Sequence, residues 1–335
     1  MPTLTKRALL ATAASAVAVA SSPAARAADK TRIMVGGYEK QIYLPAKLCE
    51  ALGYFKAEGL DVELLTEEAG VDAEEEMLSG AVSAVVGFYD HCIDLQSKGK
   101  FVTCVVQLSQ APGEVELVSS KHPEIKTLAD LKSRSLGVTG LGSSTNFLTQ
   151  YLMVKSGVRL GDFTSIPVGA GQTFIAAMQQ DKIQAGMTTE PTISRLLKTG
   201  EARVLVDLRT MEKTKEALGG TYPAASLYMQ ASWIEKNKPT VQKLANAFVK
   251  TLRYIDSHSA EEITAKMPKD FYASNRELYV EALANGKAMF TKDGVMPAGG
   301  PETVLAVLSG FSRNMKGKQI DLSRTFTTEF VTKVA

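Results

Sequence analysis

Short apolar runs alternate with helical patterns along most of this chain, and this alternation predicts its fold class. The first block predicts strands over residues 31–35, 61–65, 81–87 and 101–108, with helices over 44–52 and 72–79. The second block predicts strands over 135–139, 164–168, 184–188 and 203–207, with helices over 146–155, 173–180 and 191–198. Strands separated by helices pair in parallel, with helices on both faces. We therefore predict a two-lobed α/β fold with a mostly parallel sheet in each lobe.

Two further extended segments, 114–119 and 224–230, are expected to run between the lobes. After Trp233 the pattern becomes helical, with helices predicted over 276–290 and 302–311 as well. The first of these C-terminal helices has one apolar face at three- and four-residue spacing, formed by Val241, Leu244, Ala245, Phe248, Val249, Leu252 and Ile255. No low-complexity linker divides the chain, so we predict that paired crossovers join the lobes.

The first 27 residues have the three-part layout of a secretory signal peptide. Lys6 and Arg7 are positively charged, an apolar stretch follows over 8–20, and Ala25 and Ala27 are small residues at the cleavage position. A membrane anchor would need about 20 apolar residues, so we favour cleavage after Ala27 and export to the periplasm. No cysteine follows the small residues, which argues against a lipoprotein.

Composition excludes several other classes of protein. The chain has 335 residues and a formal net charge of +2, without the strongly basic character that nucleic-acid-binding domains show. Its three cysteines, Cys49, Cys92 and Cys104, match no zinc-site spacing. Their odd number favours buried free thiols over a Cys92–Cys104 disulfide. We expect no metal and no cofactor.

The loop over residues 140–145, GLGSST, follows a predicted strand and opens a helix. Ser or Thr at a helix start satisfies free backbone N–H groups, and the positive end of the helix dipole favours an anion. A plain helix cap is the alternative. Ser143 stands where a P-loop needs Lys, Thr145 stands where a dinucleotide fingerprint needs Gly, and no G-x-S-x-G motif is present. The loop therefore indicates ligand binding without nucleotide or serine-hydrolase chemistry.

Other polar and aromatic residues also follow predicted strands, where ligands bind open α/β sheets. Tyrosines there suit stacking on a planar ligand, and carboxylates suit hydrogen-bond donors. The predicted ligand-binding residues are Gly37, Tyr38, Glu39, Tyr89, Asp90, Gln110, Gly142, Ser143, Ser144, Thr145, Gln172 and Glu190.

Two neighbouring features are interpreted as structural. His91 has no His or Cys at ligand spacing, so we expect it at the surface or the cleft edge and not on a metal. The acidic run 74–76 is interpreted as a solvated helix face. We find no convincing nucleophile, base or metal set in the sequence.

Several motifs resemble one transport family. Residues 52–63, LGYFKAEGLDVE, resemble the GyFkkeGLdVel signature of solute-binding proteins of ABC transporters for nitrate, taurine, alkanesulfonates and thiamine-precursor pyrimidines. Residues 128–138, LADLKSRSLGV, resemble the family's DLkGk.iGv segment, with Ser133-Arg134 in place of Gly-Lys. Residues 181–186 and Glu190-Pro191 match as well. The resemblance covers nearly the whole chain after the signal peptide.

The resemblance implies a type II periplasmic-binding-protein fold that closes on its ligand about a hinge. Carried onto this chain, it places the first lobe at 28–118 and 222–335 and the second at 119–221. It implies ligand contacts from Gly37-Tyr38, Tyr89-Asp90, Ser143-Ser144 and Glu190. The expected partners are a small-molecule ligand and an ABC permease in the cytoplasmic membrane, with the protein a monomer that binds no nucleic acid.

The identity of the ligand stays open at this stage. The helix start at Ser143 favours a small organic anion such as a sulfonate or carboxylate, and we prefer this interpretation. Glu39, Asp90 and Glu190 favour a neutral or cationic nitrogen heterocycle, such as a thiamine-precursor pyrimidine. A biosynthetic enzyme is a further alternative, but relatives of that kind resemble a cysteine-rich subgroup that the three scattered cysteines do not match. A sensor is an alternative partner to the permease.

Overall fold

The computed structural model describes residues 30–272 and 275–334, so the predicted signal peptide lies outside the described part. Two sheets of five strands each form the framework of this part. The first sheet has the order β2-β1-β3-β10-β4, with β1 at Thr31–Val35, β2 at Val62–Thr66, β3 at Ala84–Phe88, β4 at Val102–Gln107 and β10 at Ala225–Gln230. The second has the order β7-β6-β8-β5-β9, with β5 at Glu114–Ser119, β6 at Ser135–Val138, β7 at Thr164–Pro167, β8 at Ala185–Thr189 and β9 at Ala202–Asp207.

Each sheet contains one reversed strand. In the first sheet β1 pairs in parallel with β2 and β3, whereas β10 is antiparallel to β3 and β4. In the second, β6 pairs in parallel with β7 and β8, whereas β5 is antiparallel to β8 and β9. The predicted α/β class with two lobes is confirmed. The sheets are mixed because β5 and β10, the two strands that follow a passage between the lobes, run opposite to the other strands of their sheets.

Helices flank both sheets. Those of the first block are α1 (Leu44–Ala51), α2 (Tyr54–Ala57), α3 (Gly70–Ser79) and α4 (Asp90–Ser97). Those of the second are α5 (Ser144–Lys155), α6 (Gln172–Gln179), α7 (Thr192–Lys198) and α8 (Met211–Leu218). After β10 come α9 (Ala231–Lys236), α10 (Lys238–Ser257), α11 (Ala260–Lys266), α12 (Arg276–Gly286) and α13 (Gly300–Phe311). No helix within the described ranges is long and apolar enough to span a bilayer.

The hydrophobic core follows the sequence pattern. All seven residues predicted for the apolar face of α10 are buried against the first sheet and its helices. In the second lobe, successive side chains of β5 point to opposite faces of the sheet, and both faces are buried. Val115 and Leu117 pack with Phe174 on one face, and Val118 packs with Met153 on the other.

The chain passes between the lobes twice, and the two passages lie side by side. Residues 108–113 lead from β4 to β5, and residues 208–224 return from β9 to β10. Leu108 and Ser109 both donate backbone hydrogen bonds to Ala225 O, and Gly113 donates to Leu208 O. The boundary between the lobes that the sequence predicts, between residues 118 and 119, falls at the end of β5. This strand pairs only with strands of the second sheet.

Candidate functional site

The C-terminal ends of β1 and β3 face the start of α5 across a narrow space that we call the inner cleft. Its volume is about 10 Å³, close to that of one water molecule, so the lobes are in contact here. The first lobe contributes Lys40, Tyr43, Gly70 and Phe88, and Glu114 enters from the first position of β5. The second lobe contributes Thr139, Ser143, Ser144, Thr145 and Thr189.

Asp90 ties the two lobes together beside the inner cleft. It is the first residue of α4 and is fully buried. Its carboxylate accepts a hydrogen bond from Ser144 Oγ at 2.8 Å, from the second lobe, and from Tyr222 OH at 3.0 Å. Burial raises the pKa of Asp90, although His91 and the two hydroxyls act in the opposite direction. The carboxylate is therefore positioned to bind a polar ligand or to hold the two lobes together through its hydrogen bond with Ser144.

The start of α5 carries a closed cluster of hydroxyls. Thr139 Oγ1, Ser143 Oγ and Thr145 Oγ1 lie 2.9 Å from one another, and Ser143 Oγ also donates to Gly140 O at 2.7 Å. Ser143 is the N-cap residue but makes no side-chain cap hydrogen bond to the helix. Because these hydroxyls satisfy one another, the backbone N–H groups of the first turn are left to other acceptors.

An amine and a carboxyl group, those of Lys40 and Glu114, line the inner cleft. Lys40 Nζ donates to Gly36 O and Glu68 O, each at 2.6 Å, and burial lowers its pKa. Burial raises the pKa of Glu114 well above its usual value, with Asp90 adding to the effect and Lys40 opposing it. Within residues 30–272 and 275–334, Glu114 Oε2 is a buried atom without a hydrogen-bond partner.

Sequence reasoning missed Lys40, Glu114 and Tyr222. Lys40 directly follows the predicted ligand-binding residues Gly37, Tyr38 and Glu39. Glu114 opens an apolar strand, where a carboxylate is costly unless it has a function. Those two signals were available in the sequence. Tyr222 had none, because it reaches Asp90 only through the return passage between the lobes.

The predicted ligand-binding residues fall into separate groups. Ser143, Ser144 and Thr145 line the inner cleft, and Asp90 lies beside it, bonded to Ser144. Gly37 and Gly142 lie at its margins with φ of 117° and 87°, and a Cβ at Gly37 would lie 2.8 Å from Lys40 Nζ.

Glu39 and Gln172 instead line a second cavity of about 280 Å³, which we call the outer chamber. Tyr38 lies beside that chamber, with its ring centroid 6.2 Å from that of Phe271. The structure therefore divides the predicted residues between two spaces between the lobes.

The remaining predicted residues make structural contacts. The Tyr89 hydroxyl bonds with Thr325 Oγ1 inside the first lobe. Gln110 Nε2 donates to Ala288 O at 3.4 Å. The Glu190 carboxylate accepts from Arg209 Nη1 at 3.2 Å and from Ser194 N at 2.9 Å, within the second lobe. The Glu190 carbonyl oxygen accepts from Gln41 N at 3.0 Å and so joins the lobes.

Two structural interpretations of the sequence were wrong. His91 is fully buried and not at the surface, and Glu74 is also buried although its neighbour Glu75 is exposed. The two side chains form an ion pair at 2.8 Å from His91 Nδ1 to Glu74 Oε2. Burial lowers the pKa of His91, but Glu74 outweighs it and the net value rises to about 9. Each charge compensates the burial of the other, which a one-dimensional pattern does not reveal.

The three cysteines are buried free thiols, as the odd number favoured. Burial raises the pKa of each of them, which keeps the thiols protonated and unreactive. No group of three His, Cys, Asp or Glu side chains in the described part of the chain is arranged to hold a metal ion.

Comparison with known proteins agrees with this architecture. The family model described as NMT1/THI5 like matches residues 44–262. YtlA of Bacillus subtilis (strain 168), named as a binding protein, is 24% identical over 232 residues, covering 68% of this chain and 67% of YtlA. The 4-amino-5-hydroxymethyl-2-methylpyrimidine phosphate synthase THI11 of Saccharomyces cerevisiae (strain ATCC 204508 / S288c) is 25% identical over 232 residues, with the same coverage of 68% and 67%.

Two solved structures extend the likeness to three dimensions. A protein from Bordetella bronchiseptica RB50 has a TM-score of 0.87 and 34% identity, over 90% of this chain and 96% of that one. The alkanesulfonate-binding protein SsuA from Xanthomonas axonopodis pv. citri, bound to MOPS, has a TM-score of 0.66 and 18% identity, over 89% and 98%. The second likeness concerns the fold alone. Together they confirm the predicted two-lobed binding-protein fold.

Proposed function

The chain belongs to the NMT1/THI5-like family and has the two-lobed fold of ABC solute-binding proteins, and from this premise we propose that it is the extracytoplasmic solute-binding component of an ABC importer. The main support is the inner cleft, where both lobes contribute polar side chains and Ser144 donates across the gap to Asp90. With the lobes in contact the inner cleft has room for about one water molecule, so the lobes must part to admit a ligand. A ligand held by both lobes is bound fully only when they close around it, so binding shifts the population toward that liganded, closed form.

We propose a neutral or cationic nitrogen heterocycle as the ligand, and the chemistry of the inner cleft supports this class. Two buried carboxyl groups, Asp90 and Glu114, accompany a single ammonium, Lys40, whose hydrogen bonds already go to backbone carbonyls. Glu114 Oε2 and Thr189 Oγ1 are buried without hydrogen-bond partners in the described part of the chain. A ring that donates N–H groups would satisfy such acceptors, and a cationic ring would favour the ionised form of both carboxyl groups, whereas an anion would raise their pKa values further.

A small organic anion is the second candidate, and the start of α5 is the observation that favours it. Ser143 leaves the first turn without a side-chain cap, and a helix of 12 residues presents a positive end there. An anion at this position would have to approach Asp90, which already accepts from Ser144. This cost is why we place the heterocycle first.

A thermal-shift screen of the chain from residue 28 separates the two ligand classes. We expect 4-amino-5-hydroxymethyl-2-methylpyrimidine to raise the melting temperature, with a shift that grows with concentration. Taurine, an alkanesulfonate and nitrate are the anionic probes. A shift with the anions alone would reject the heterocycle, and no shift with either class would leave the inner cleft without its proposed ligand and count against the proposal.

We also propose that the protein binds its ligand without converting it, although the yeast relative is named as a synthase. Mass spectrometry of the protein incubated with an equimolar pyrimidine, and of the protein incubated alone, tests this. The first sample should return the unchanged compound, and the second should release no pyrimidine phosphate. Appearance of a product would overturn the assignment as a binding protein.

The cellular role has its own tests. We expect the protein in the periplasmic fraction after removal of residues 1–27, as a monomer by size-exclusion chromatography. It should copurify with a membrane permease when the ligand is present. Copurification with a membrane sensor instead would replace the transport role while leaving the binding function intact.

A further inference from the structure

The outer chamber lies at the mouth between the lobes and is separate from the inner cleft. Its volume of about 280 Å³ is near the lower end of small-molecule pockets, roughly 300 Å³. The second lobe supplies residues of α6, α7 and the preceding loops, and the first lobe supplies residues around the start of α12. The chamber and the inner cleft share no lining residue.

The first-lobe side of the chamber is aromatic. Phe271, Tyr272 and Tyr279 line it, and the Tyr272 and Tyr279 ring centroids are 6.2 Å apart. Tyr38 extends this surface through its contact with Phe271. Flat rings at these separations bind planar groups by offset or tilted stacking. The surface therefore fits an aromatic ring of a ligand.

The second-lobe side presents a positive charge. Arg195 of α7 lines the chamber and is only partly exposed, yet its guanidinium makes no hydrogen bond or ion pair with another described residue. Glu39 and Asp270 also line the chamber, but both are exposed, so water screens them. A guanidinium is a planar fork that matches a carboxylate through two parallel hydrogen bonds.

We propose that the outer chamber is a second binding site, which takes a planar aromatic carboxylate. The ring lies against Phe271 and Tyr272, and the carboxylate meets Arg195. Because the two lobes supply opposite sides, an occupant of this site adds to the stability of the closed form. This site is independent of which ligand class fills the inner cleft.

Benzoate, benzamide and benzylamine are the probes, since they share a ring and differ in charge. Isothermal titration calorimetry of the chain from residue 28 should give benzoate a Kd of about 1 mM or tighter, benzamide a weaker one and benzylamine the weakest. Failure of benzoate to bind at about 10 mM, or preference for benzylamine, overturns the proposal.

Matched variants locate the bound benzoate. Arg195→Gln is expected to weaken benzoate about tenfold and benzamide little, because it removes a charge-assisted hydrogen bond. Lys198→Gln is the control, since this exposed lysine lies three residues further along α7, pairs with Glu281 at 3.8 Å and does not line the chamber. Equal effects of the two variants would indicate general electrostatics and reject the site.

Photolabelling distinguishes this site from the inner cleft. We expect 4-azidobenzoate to label peptides that contain Phe271, Tyr272 or Gln172. Labelling confined to the loop 139–145 would place the anion at the start of α5 and overturn the outer-chamber site. That result would support the anionic candidate for the inner cleft, so the two proposals fail in distinguishable ways.

Discussion

Glu116 shows how a single buried carboxyl group makes stability depend on pH. It lies on β5 and accepts a hydrogen bond from Thr149 Oγ1 of α5 at 2.7 Å. Burial raises its pKa to about 8, although Thr149 lowers it in part. The folded state therefore holds a proton that the unfolded state releases above about pH 4.3, and stability must fall as the pH rises through that window toward 8.

Replacing Glu116 should make the free energy of unfolding depend less on pH. We expect Glu116→Gln to reduce the loss of unfolding free energy between pH 5 and 8 by a few kcal/mol, at about 1.4 kcal/mol per pKa unit. Urea unfolding at several pH values measures the effect, and Glu75→Gln on the exposed face of α3 is the control. Curves for Glu116→Gln that run parallel to those of the unmodified protein would contradict the expected protonation.

The His91–Glu74 pair gives a second prediction for a single residue. The pKa of His91 near 9 means that its contribution is present below about pH 6.5 and is lost as the pH rises through 9. Glu74→Gln leaves a buried imidazole without its counter-ion, so we expect a loss of about 3 kcal/mol at pH 6 and a lower His91 pKa. NMR titration of the imidazole measures the second effect. An unchanged His91 pKa would show that Asp90 and Asp94 dominate instead.

Some of the predicted ligand-binding residues are marked by local sequence, and the structure brings them together. Asp90 and Ser143, Ser144 and Thr145 were found because a loop between a strand and a helix start marks them within a few positions. Lys40 and Glu114 had local signals in the sequence, but only the meeting of the two lobes shows that they line the same cleft. Tyr89 shows the opposite difficulty, since its place after β3 suited a ligand contact but its hydroxyl turns toward Thr325.

At the scale of elements, periodicity predicted the bounds of the strands well and did not reveal the one reversed strand in each sheet. The segments 31–35 and 114–119 match β1 and β5 at both ends, because apolar alternation is a property of the segment itself. The reversal of β5 and β10 depends on where the chain enters each sheet, which no local pattern encodes. Four strands of each sheet run in one direction, as predicted, and β10 or β5 runs against them.

The loop before α5 also sets how closely the lobes approach. A Cβ added at Gly140 would lie 2.8 Å from Ala69 Cβ in the first lobe, closer than side chains normally pack. Gly140→Ala should therefore hinder closure and weaken ligand binding about tenfold, for a strain of about 1–3 kcal/mol. Calorimetric titration with the inner-cleft ligand measures this loss.

Gly161→Ala provides the matched control for that experiment. Gly161 lies in the second lobe, and a Cβ there would meet nothing within 4 Å. We expect its affinity to match that of the unmodified protein. Equal affinity for both variants would mean that the loop yields easily and does not limit closure.

At the scale of the whole molecule, the lobes also touch outside the inner cleft. Phe147 of α5 packs against Phe311 of α13 with centroids 5.9 Å apart. At the mouth, Lys198 and Glu281 pair across the gap at 3.8 Å, and both side chains are more than half exposed. An exposed ion pair of this kind stabilises the closed form by only about 0–1 kcal/mol. The pair therefore forms when the lobes close but does not drive their closure.

The mouth is therefore a suitable place to measure hinge motion. Spin labels on Lys198→Cys and Glu281→Cys would attach selectively, because Cys49, Cys92 and Cys104 are buried. We expect pulsed electron paramagnetic resonance to give a longer distance without ligand and a shorter one with it, since closure brings α7 and α12 together. Labels on Arg159→Cys and Lys198→Cys, both in the second lobe, should give one distance in both conditions. A distance between the lobes that does not respond to a ligand shown to bind would mean that capture occurs in an already closed molecule, and the hinge mechanism would have to be abandoned.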